Sequence, residues 1–122
     1  MIEYTVRVSE DRTEWLFDGK RHREDGPAIE YSDGSSVWCL NGKRHREDGP
    51  AREMEGYKDW WKNDKLHRED GPAREWSNGS KEWYLNGKEL TEEEFLKLTQ
   101  PVKELTISEL QNLLGYKIKV VE

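Results

Sequence analysis

Residues 42–51 read Gly-Lys-Arg-His-Arg-Glu-Asp-Gly-Pro-Ala, and this stretch returns along the chain almost unchanged. It stands in full at residues 19–28, and residues 64–73 differ from it only at Asp64 and Leu66. Copies 22 or 23 residues apart indicate a tandem repeat, in which each unit buries its apolar face against its neighbours. Four tryptophans keep the same period and extend the array to four units: Trp15, Trp38, Trp60 and Trp83.

One unit reads as a β-hairpin followed by a second turn. In the second unit, residues 28–31 and 37–40 are the predicted strands, and Asp33-Gly34 between them is typical of a tight turn. Asn41-Gly42 is the next turn, and the Gly-Pro at the end of the repeated stretch breaks any strand. The pattern therefore predicts an antiparallel meander of short strands.

Alternation along the return strands predicts the buried face. In three units a tryptophan is followed two positions later by an apolar residue, which places both on one face of a strand. The pairs are Trp15 with Phe17, Trp38 with Leu40, and Trp83 with Leu85. The third unit departs from this pattern at Lys62, and Asn63-Asp64 replaces its Asn-Gly turn. Trp61 and Trp76 lie outside the row, so we expect them to be exposed and to contact a protein partner.

The C-terminal residues leave the repeat. Residues 91–94 and 106–109 each have the form of a capping box, so each predicts the start of a short helix. Pro101 ends the first helix and Gly115 is a C-terminal cap for the second. Two further stretches read as short strands, residues 102–105 and 116–121.

We therefore expect a mainly β fold in a single structural domain. Residues 1–90 form four β-hairpin repeats in an antiparallel meander or solenoid sheet. Residues 91–122 form a small α/β cap packed on the end of that sheet, where an open edge would invite aggregation.

The composition limits the class of protein. Hydrophobic residues make up only 33% and charged residues 38%, a balance that usually indicates disorder. Six tryptophans and five tyrosines at fixed spacing counter that interpretation, because each can bury a large area. A net charge of -6 argues against nucleic acid and anionic membranes. With Cys39 as the single cysteine and no long apolar run, we expect a cytoplasmic protein without disulfides.

The stretch His-Arg-Glu-Asp-Gly-Pro-Ala, with Trp-Tyr-Leu-Asn-Gly-Lys at residues 83–88, resembles the MORN-like hairpin-repeat proteins of bacteriophages and large DNA viruses. The resemblance continues through residues 86–95, 102–106 and 114–118. It implies a meandering antiparallel sheet, a phage origin and a binding or scaffolding role. It brings no catalytic residue with it.

Three histidines in equivalent places, His22, His45 and His67, raise the possibility of a metal site. Each unit adds two strands, so equivalent residues lie roughly 9–10 Å apart at ~4.8 Å per strand. A shared zinc needs ligand nitrogens about 2 Å from the ion. We therefore expect neither a metal nor a cofactor.

Each copy of the motif also combines histidine, arginine, glutamate and aspartate, the residue types of acid–base catalysis. A catalytic constellation is needed once, whereas structural ion pairs are needed in every unit. We interpret the motif as a joint between hairpins, with Arg23 and Asp25 on one face. Cys39 occupies the place of Leu16, Trp61 and Tyr84 in the other units, so we expect a packing residue. We expect no enzymatic activity.

The repeated arginines are also compatible with a phosphate-bearing ligand. Arginine forks two bonds to a phosphate, turn amides add more, and neighbouring aromatic rings can stack on a base. Acidic residues follow each arginine, and no Walker or dinucleotide glycine motif is present. The candidate ligand-binding residues are His22, Arg23, His45, Arg46, His67 and Arg68.

These observations favour a non-enzymatic binding module, encoded by a phage and acting on a host component in host takeover or counter-defence. Two alternatives stay open: a protein that sequesters a phosphate-bearing nucleotide signal, and a purely structural repeat protein. The expected partner is a host protein or a small phosphate-bearing ligand, and a homo-oligomer is a further possibility.

Overall fold

A computed structural model describes residues 2–99 and 106–115 of the chain. Its strands are β1 (Thr5–Val8), β2 (Arg12–Phe17), β3 (Lys20–Arg21), β4 (Ile29–Tyr31), β5 (Ser36–Val37), β6 (Cys39–Leu40), β7 (Lys43–Arg44), β8 (Arg52–Met54), β9 (Tyr57–Asp59), β10 (Trp61–Lys62), β11 (Lys65–Leu66), β12 (Arg74–Trp76), β13 (Lys81–Leu85) and β14 (Lys88–Leu90).

The main sheet is an antiparallel meander with the strand order β1-β2-β4-β5-β8-β9-β12-β13-β14, and β3 pairs with β2 beside it. Separate two-stranded ribbons are formed by β6 with β7 and by β10 with β11. The predicted mainly β meander is therefore confirmed.

The return strand of each unit belongs to two hairpins. Its first half pairs within the main sheet, and its second half pairs with the short strand that follows the next turn. A tryptophan stands where the two halves meet. The Trp38 N–H donates to the Ala51 carbonyl at 2.6 Å, and the Trp38 carbonyl accepts from the His45 N–H at 3.0 Å. Trp15 and Trp60 make the same two bonds in their own units.

The second turn of each unit needs two residues with positive φ. Asn41 has φ 51° and Gly42 has φ 82°, the conformation of a type I′ hairpin turn. In the third unit Asn63 and Asp64 take φ 48° and 66° instead. Asparagine and aspartate tolerate this left-handed region, so the departure from Asn-Gly leaves the turn intact.

The prediction that the tryptophans lie on the most deeply buried face of the return strands is wrong. The tryptophans of the row are half-buried, and Phe17 is 38% exposed. The well-buried positions alternate with them on the other face, where Leu16, Cys39 and Trp61 pack. On the tryptophan face, Trp15, Trp38 and Trp60 are each covered by a stacked arginine side chain. On the other face Ile29, Val37 and Cys39 form a buried apolar cluster.

One of the two tryptophans predicted to be exposed is buried instead. Trp61 is only 8% exposed, and its indole N–H donates to the buried carboxylate of Asp59. Its predicted exposure is therefore wrong. Trp76 is 36% exposed and packs at 5.0 Å, centroid to centroid, against Tyr57, so its predicted exposure is confirmed.

One row of paired positions crosses the face that carries Trp61. In the second unit this row is apolar, with Ile29 opposite Val37. In the third and fourth units the same positions hold charge pairs. The full row, in sheet order, is Glu14, Ile29, Val37, Arg52, Asp59, Arg74 and Glu82. Asp59 has no exposed surface, and Arg52 forks two bonds to it at 2.7 and 3.1 Å while Arg74 approaches at 3.4 Å.

Among the described residues after the sheet, the chain forms the helices α1 (Glu92–Thr99) and α2 (Ile107–Leu114). The first predicted capping box forms in full, because Thr91 Oγ1 accepts from the Glu94 N–H and the Glu94 carboxylate accepts from the Thr91 N–H, each at 3.1 Å. At the second helix Thr106 Oγ1 accepts from the Glu109 N–H at 3.1 Å, as predicted for its N-cap. Gly115 ends α2 with φ 74°. Helix α1 packs against β13 and β14 and buries Phe95. The strands predicted at residues 102–105 and 116–121 lie outside the described residues.

Within residues 2–99 and 106–115, neither helix is long and apolar enough to cross a membrane.

Candidate binding grooves at the unit junctions

The motif arginine in each of the three copies is held between an aromatic ring and a glycine. The Arg46 guanidinium lies 4.0 Å from the centre of the Trp38 ring. A Cβ at Gly49 would lie 2.9 Å from the guanidinium carbon of Arg46, so a larger residue there would displace the guanidinium from this position. The same stack recurs for Arg23 on Trp15 at 3.9 Å and for Arg68 on Trp60 at 3.8 Å. The Gly-Pro of the motif is thus part of an arginine-binding slot.

Each stacked arginine also bonds to its own motif and to the next strand. Arg46 donates to Asp48 at 3.0 Å and to the Pro50 carbonyl at 3.1 Å, and lies 3.7 Å from Glu53 of β8. Arg23 and Arg68 repeat this set of three contacts. The ion pair expected between Arg23 and Asp25 is present at 3.2 Å.

The motif histidine bonds one unit to the next. His45 Nδ1 accepts from the backbone N–H of Asn63 at 3.0 Å, across 18 residues of sequence. His22 and His67 accept in the same way from Asn41 at 2.8 Å and from Asn86 at 2.9 Å. Because Nδ1 is the acceptor, the ring proton of neutral histidine lies on Nε2. There it faces the glutamate of the same motif, Glu47 in the second copy, at 2.7 Å.

Backbone bonds complete the junction on both sides of each histidine. The Arg46 N–H donates to the Trp61 carbonyl at 3.1 Å, and the Asp64 N–H donates to the Arg44 carbonyl at 2.9 Å. The first and third junctions contain the equivalent pairs of bonds. The motif therefore lies where one ribbon meets the next, and its histidine and arginine are already bonded within the molecule.

The carboxylates of the motif face outward, and cationic neighbours favour the ionised form of three of them, Glu47, Asp48 and Asp70. The hydrogen bond from Arg46, with its charge, lowers the pKa of Asp48, and Arg68 does the same for Asp70. Bonding to His45 and then to Lys62 lowers the pKa of Glu47. The Asp48 side chain is 81% exposed, whereas the Arg46 side chain beneath it is 21% exposed. The negatively charged Asp48 carboxylate is therefore far more exposed to solvent than the positively charged Arg46 guanidinium, which is recessed beneath it.

Two grooves of the same construction lie between consecutive motifs. The first runs between Arg23–Asp25 and His45–Asp48, and Trp38 and Leu40 line it. The second runs between Arg46–Pro50 and His67–Asp70, and Trp60 and Lys62 line it. The four carboxylates that border the first groove are Glu24, Asp25, Glu47 and Asp48, and those of the second are Glu47, Asp48, Glu69 and Asp70.

The structure thus brings five of the six predicted ligand-binding residues to these two grooves, whereas His22 lines neither and packs on Tyr4 and Phe17. None of the arginines among them is presented as a free cation. His22 and His67 are buried, and the arginine heads lie flat on tryptophan rings. Within the part of the chain that the structure describes, no group of three or more His, Cys, Asp or Glu side chains is placed to hold a metal. Cys39 is buried, and burial raises the pKa of its thiol, as suits a packing residue.

From the sequence, Lys62 was noted only as a break in the apolar pattern and Asp59 was not singled out, although both make ion pairs in the structure. Lys62 takes the place of Leu40, and its ammonium group lies 3.3 Å from Glu47 across the second groove. The signal for Asp59 was a paired change between units. Ile29 and Val37 become Arg52 and Asp59 at the same cross-strand positions.

Comparison with protein-family models found no match. Comparisons with curated proteins and with solved structures found none either.

Proposed function

We propose that the protein is a non-enzymatic binding module that holds a basic segment of a partner protein along the two grooves. The observation that supports this most strongly is the layering of charge at each junction. The Asp48 carboxylate is exposed while the Arg46 guanidinium is recessed and bonded. A ligand that approaches meets exposed carboxylates and an indole, a surface suited to lysine or arginine.

The repeat determines the spacing that the partner should have. Equivalent carboxylates in successive motifs are separated by two strands, about 10 Å at ~4.8 Å per strand. An extended chain in the polyproline II conformation has three residues per turn and rises about 3.1 Å per residue, so every third side chain lies on the same side and advances about 9 Å, close to one repeat step. The preferred ligand is therefore an extended segment with a basic residue at every third position. Trp38 and Trp60 offer ring surface to the aliphatic stems of those side chains.

The resemblance to phage repeat proteins gives this proposal its biological setting. On that basis the partner is a host protein, and binding serves host takeover or counter-defence. This step rests on the resemblance alone, whereas the basic character of the ligand rests on the grooves.

A small phosphate-bearing ligand is the second candidate, and the contacts favour it less. Such an anion would have to displace Asp48 and Glu53 from Arg46, and the equivalent carboxylates at the other junctions. It would also approach through a border of exposed carboxylates.

A peptide titration tests the proposal. Fluorescence anisotropy at low salt compares a peptide with arginine at every third position and a peptide of the same composition with its arginines clustered. We expect tighter binding of the spaced peptide, and weakening of roughly two- to fivefold for Asp48→Asn or Asp70→Asn. Asparagine keeps an oxygen for the neighbouring arginine, so the junction itself is preserved.

The matched control is Glu10→Gln, which removes an exposed carboxylate outside both grooves. Equal affinity for the two peptides, or equal weakening by Glu10→Gln and Asp48→Asn, would contradict the proposal. Thermal stabilisation by nucleotides in place of peptide binding would favour the phosphate ligand instead.

A further inference from the structure

The two grooves differ in charge at one equivalent position. Two residues after the tryptophan of the return strand, the first groove contains Leu40 and the second contains Lys62. Both grooves are otherwise lined by an indole, a histidine, two motif arginines and four carboxylates. With histidine neutral, the lining of the first groove has a net charge of -2, and Lys62 reduces that of the second to -1. A basic side chain is therefore attracted less strongly to the second groove.

Lys62 also engages a carboxylate that both grooves share. Its ammonium group lies 3.3 Å from the Glu47 carboxylate, which bonds to His45 as well. In the second groove a cation from a ligand must displace Lys62 from Glu47 or lie beside it against repulsion between like charges. In the first groove Leu40 offers apolar surface to the stem of a lysine or arginine instead.

From this difference we infer that the first groove is the primary site for a basic side chain of the partner, and that Lys62 makes the second groove the weaker site. The inference rests on the proposed function and adds an order of binding to it. The partner segment then has one essential basic residue, which lies in the first groove. The residue three positions away, in the second groove, contributes less to the affinity.

The chain offers a matched pair of carboxylates with which to compare the grooves. Of the two grooves, Asp25 lines the first alone and Asp70 lines the second alone. Their side chains are 83% and 84% exposed, and each bonds to the arginine of its own motif. Asparagine keeps an oxygen for that arginine. Asp25→Asn and Asp70→Asn therefore remove equivalent charges from different grooves.

Fluorescence anisotropy with the peptide that has arginine at every third position measures the order of the grooves. We expect Asp25→Asn to weaken binding roughly fivefold and Asp70→Asn to weaken it no more than about twofold. The order should reverse in the exchange variant that combines Leu40→Lys with Lys62→Leu. Each of these substitutions introduces a residue that the equivalent position of another unit already holds, and melting curves verify that the variants fold.

Two outcomes of this titration are distinguishable. Equal weakening by Asp25→Asn and Asp70→Asn, or a larger loss from Asp70→Asn, would overturn the order of the grooves while leaving the proposed function intact. Failure of the spaced peptide to bind the wild-type protein would overturn the proposed function, and this inference with it.

The role of Lys62 also has a test that needs no ligand. Bonding to His45 and then to Lys62 lowers the pKa of Glu47, so Lys62→Leu should raise that pKa toward its ordinary value. Titration of the side-chain carboxyl carbons by NMR measures the change. The pKa of Asp48, which bonding to Arg46 lowers, should stay the same and serves as the control. An unchanged pKa of Glu47 in Lys62→Leu would overturn the role given to Lys62.

Discussion

Each motif arginine combines a stack, an ion pair and a carbonyl bond in one side chain. Arg46 lies on Trp38 at 4.0 Å, reaches Asp48 at 3.0 Å and bonds the Pro50 carbonyl at 3.1 Å. Gly49 leaves space for the guanidinium, which explains why glycine precedes proline in every copy. Arginine suits this position because its planar head stacks and donates at the same time.

Gly49→Ala tests the slot. Gly49 does not have a left-handed φ, so the backbone accepts alanine, but the new Cβ would lie 2.9 Å from the guanidinium carbon. We expect a loss of about 1 kcal/mol in the free energy of unfolding, measured in urea, as the stack is displaced. In an Arg46→Met background the same change should cost nothing or stabilise slightly, because alanine restricts the unfolded chain. Equal costs in both backgrounds would show that the arginine is not the cause.

The ion pairs also predict a dependence on pH. Bonding to Arg46 lowers the pKa of Asp48 below its ordinary value of 3.8, and Arg68 lowers that of Asp70. A carboxylate with a depressed pKa in the folded state contributes stability that is complete above the unfolded pKa. That contribution is lost as the pH falls below 3.8 toward the folded pKa.

Urea unfolding at a series of pH values from 6 to 2.5 therefore should show stability falling in the acid range. Asp48→Asn and Asp70→Asn together should make the decline shallower, while Glu10→Gln leaves it unchanged. If the free energy of unfolding falls equally with pH in the wild-type protein, the double variant and Glu10→Gln, groups other than Asp48 and Asp70 cause the acid sensitivity.

Equivalent strands in different units place different kinds of side chain on the same buried face of the sheet. Paired positions on adjacent strands hold Ile29 and Val37 in the second unit, but Arg52 and Asp59 in the third. Both pairs occupy the same buried face. The charged version is satisfied because Asp59 accepts from Arg52, Arg74 and the indole of Trp61.

Copying the second unit into the third tests this equivalence. Asp59→Val alone leaves Arg52 and Arg74 without their buried partner and should cost about 3–5 kcal/mol of unfolding free energy. Adding Arg52→Ile, which reproduces the Ile29–Val37 pair, should recover part of that loss, because the indole N–H of Trp61 still lacks its acceptor. Urea denaturation measures both variants. A double variant as unstable as Asp59→Val would mean that the two units do not share one packing arrangement.

Helix α1 is attached to the sheet mainly by one side chain. Phe95 is 3% exposed against β13 and β14, whereas Leu98 on the same helix is 67% exposed. Phe95→Ala should lower the unfolding free energy by about 3 kcal/mol, while Leu98→Ala should change it by less than about 1 kcal/mol. Similar small effects from both changes would show that α1 is not docked through Phe95.

The sequence predicted the strands and turns well because those signals are local. The 22–23-residue period, Asp33-Gly34 and Asn41-Gly42 specify hairpins without reference to the rest of the chain. The buried face was predicted wrongly because alternation separates two faces but does not say which is covered. Coverage of Trp38 depends on Arg46, which only the folded junction brings onto the ring.

The candidate site was predicted in part for the same reason. Identical copies indicated that the motif is structural, and the junction contacts agree with that interpretation. The exposed position of Asp48 above a recessed Arg46 was not readable from the sequence, because it depends on the stack with Trp38. Burial of Asp59 was missed because a charged residue at a core position contradicts the hydrophobic pattern.

At the scale of the whole molecule, the motif couples neighbouring units into one cooperative array. Every junction contains a histidine that accepts a backbone N–H from the next unit and an arginine that bonds to the next strand. Units joined in this way stabilise one another, as in other linear repeats. The same junctions carry the outward carboxylates, so the grooves exist only when consecutive units are assembled.

Native-state hydrogen exchange of three amides tests this central claim most directly. The N–H groups of Asn41, Asn63 and Asn86 are the ones that bond to His22, His45 and His67. If the motif is the joint of the array, all three should exchange only on global unfolding, with the protection of the central strands. In His45→Phe, which removes the acceptor, Asn63 should lose protection while Asn41 and Asn86 keep it relative to the new global stability. Exchange of the three amides in the wild-type protein at the rate of unprotected turn amides would contradict the account.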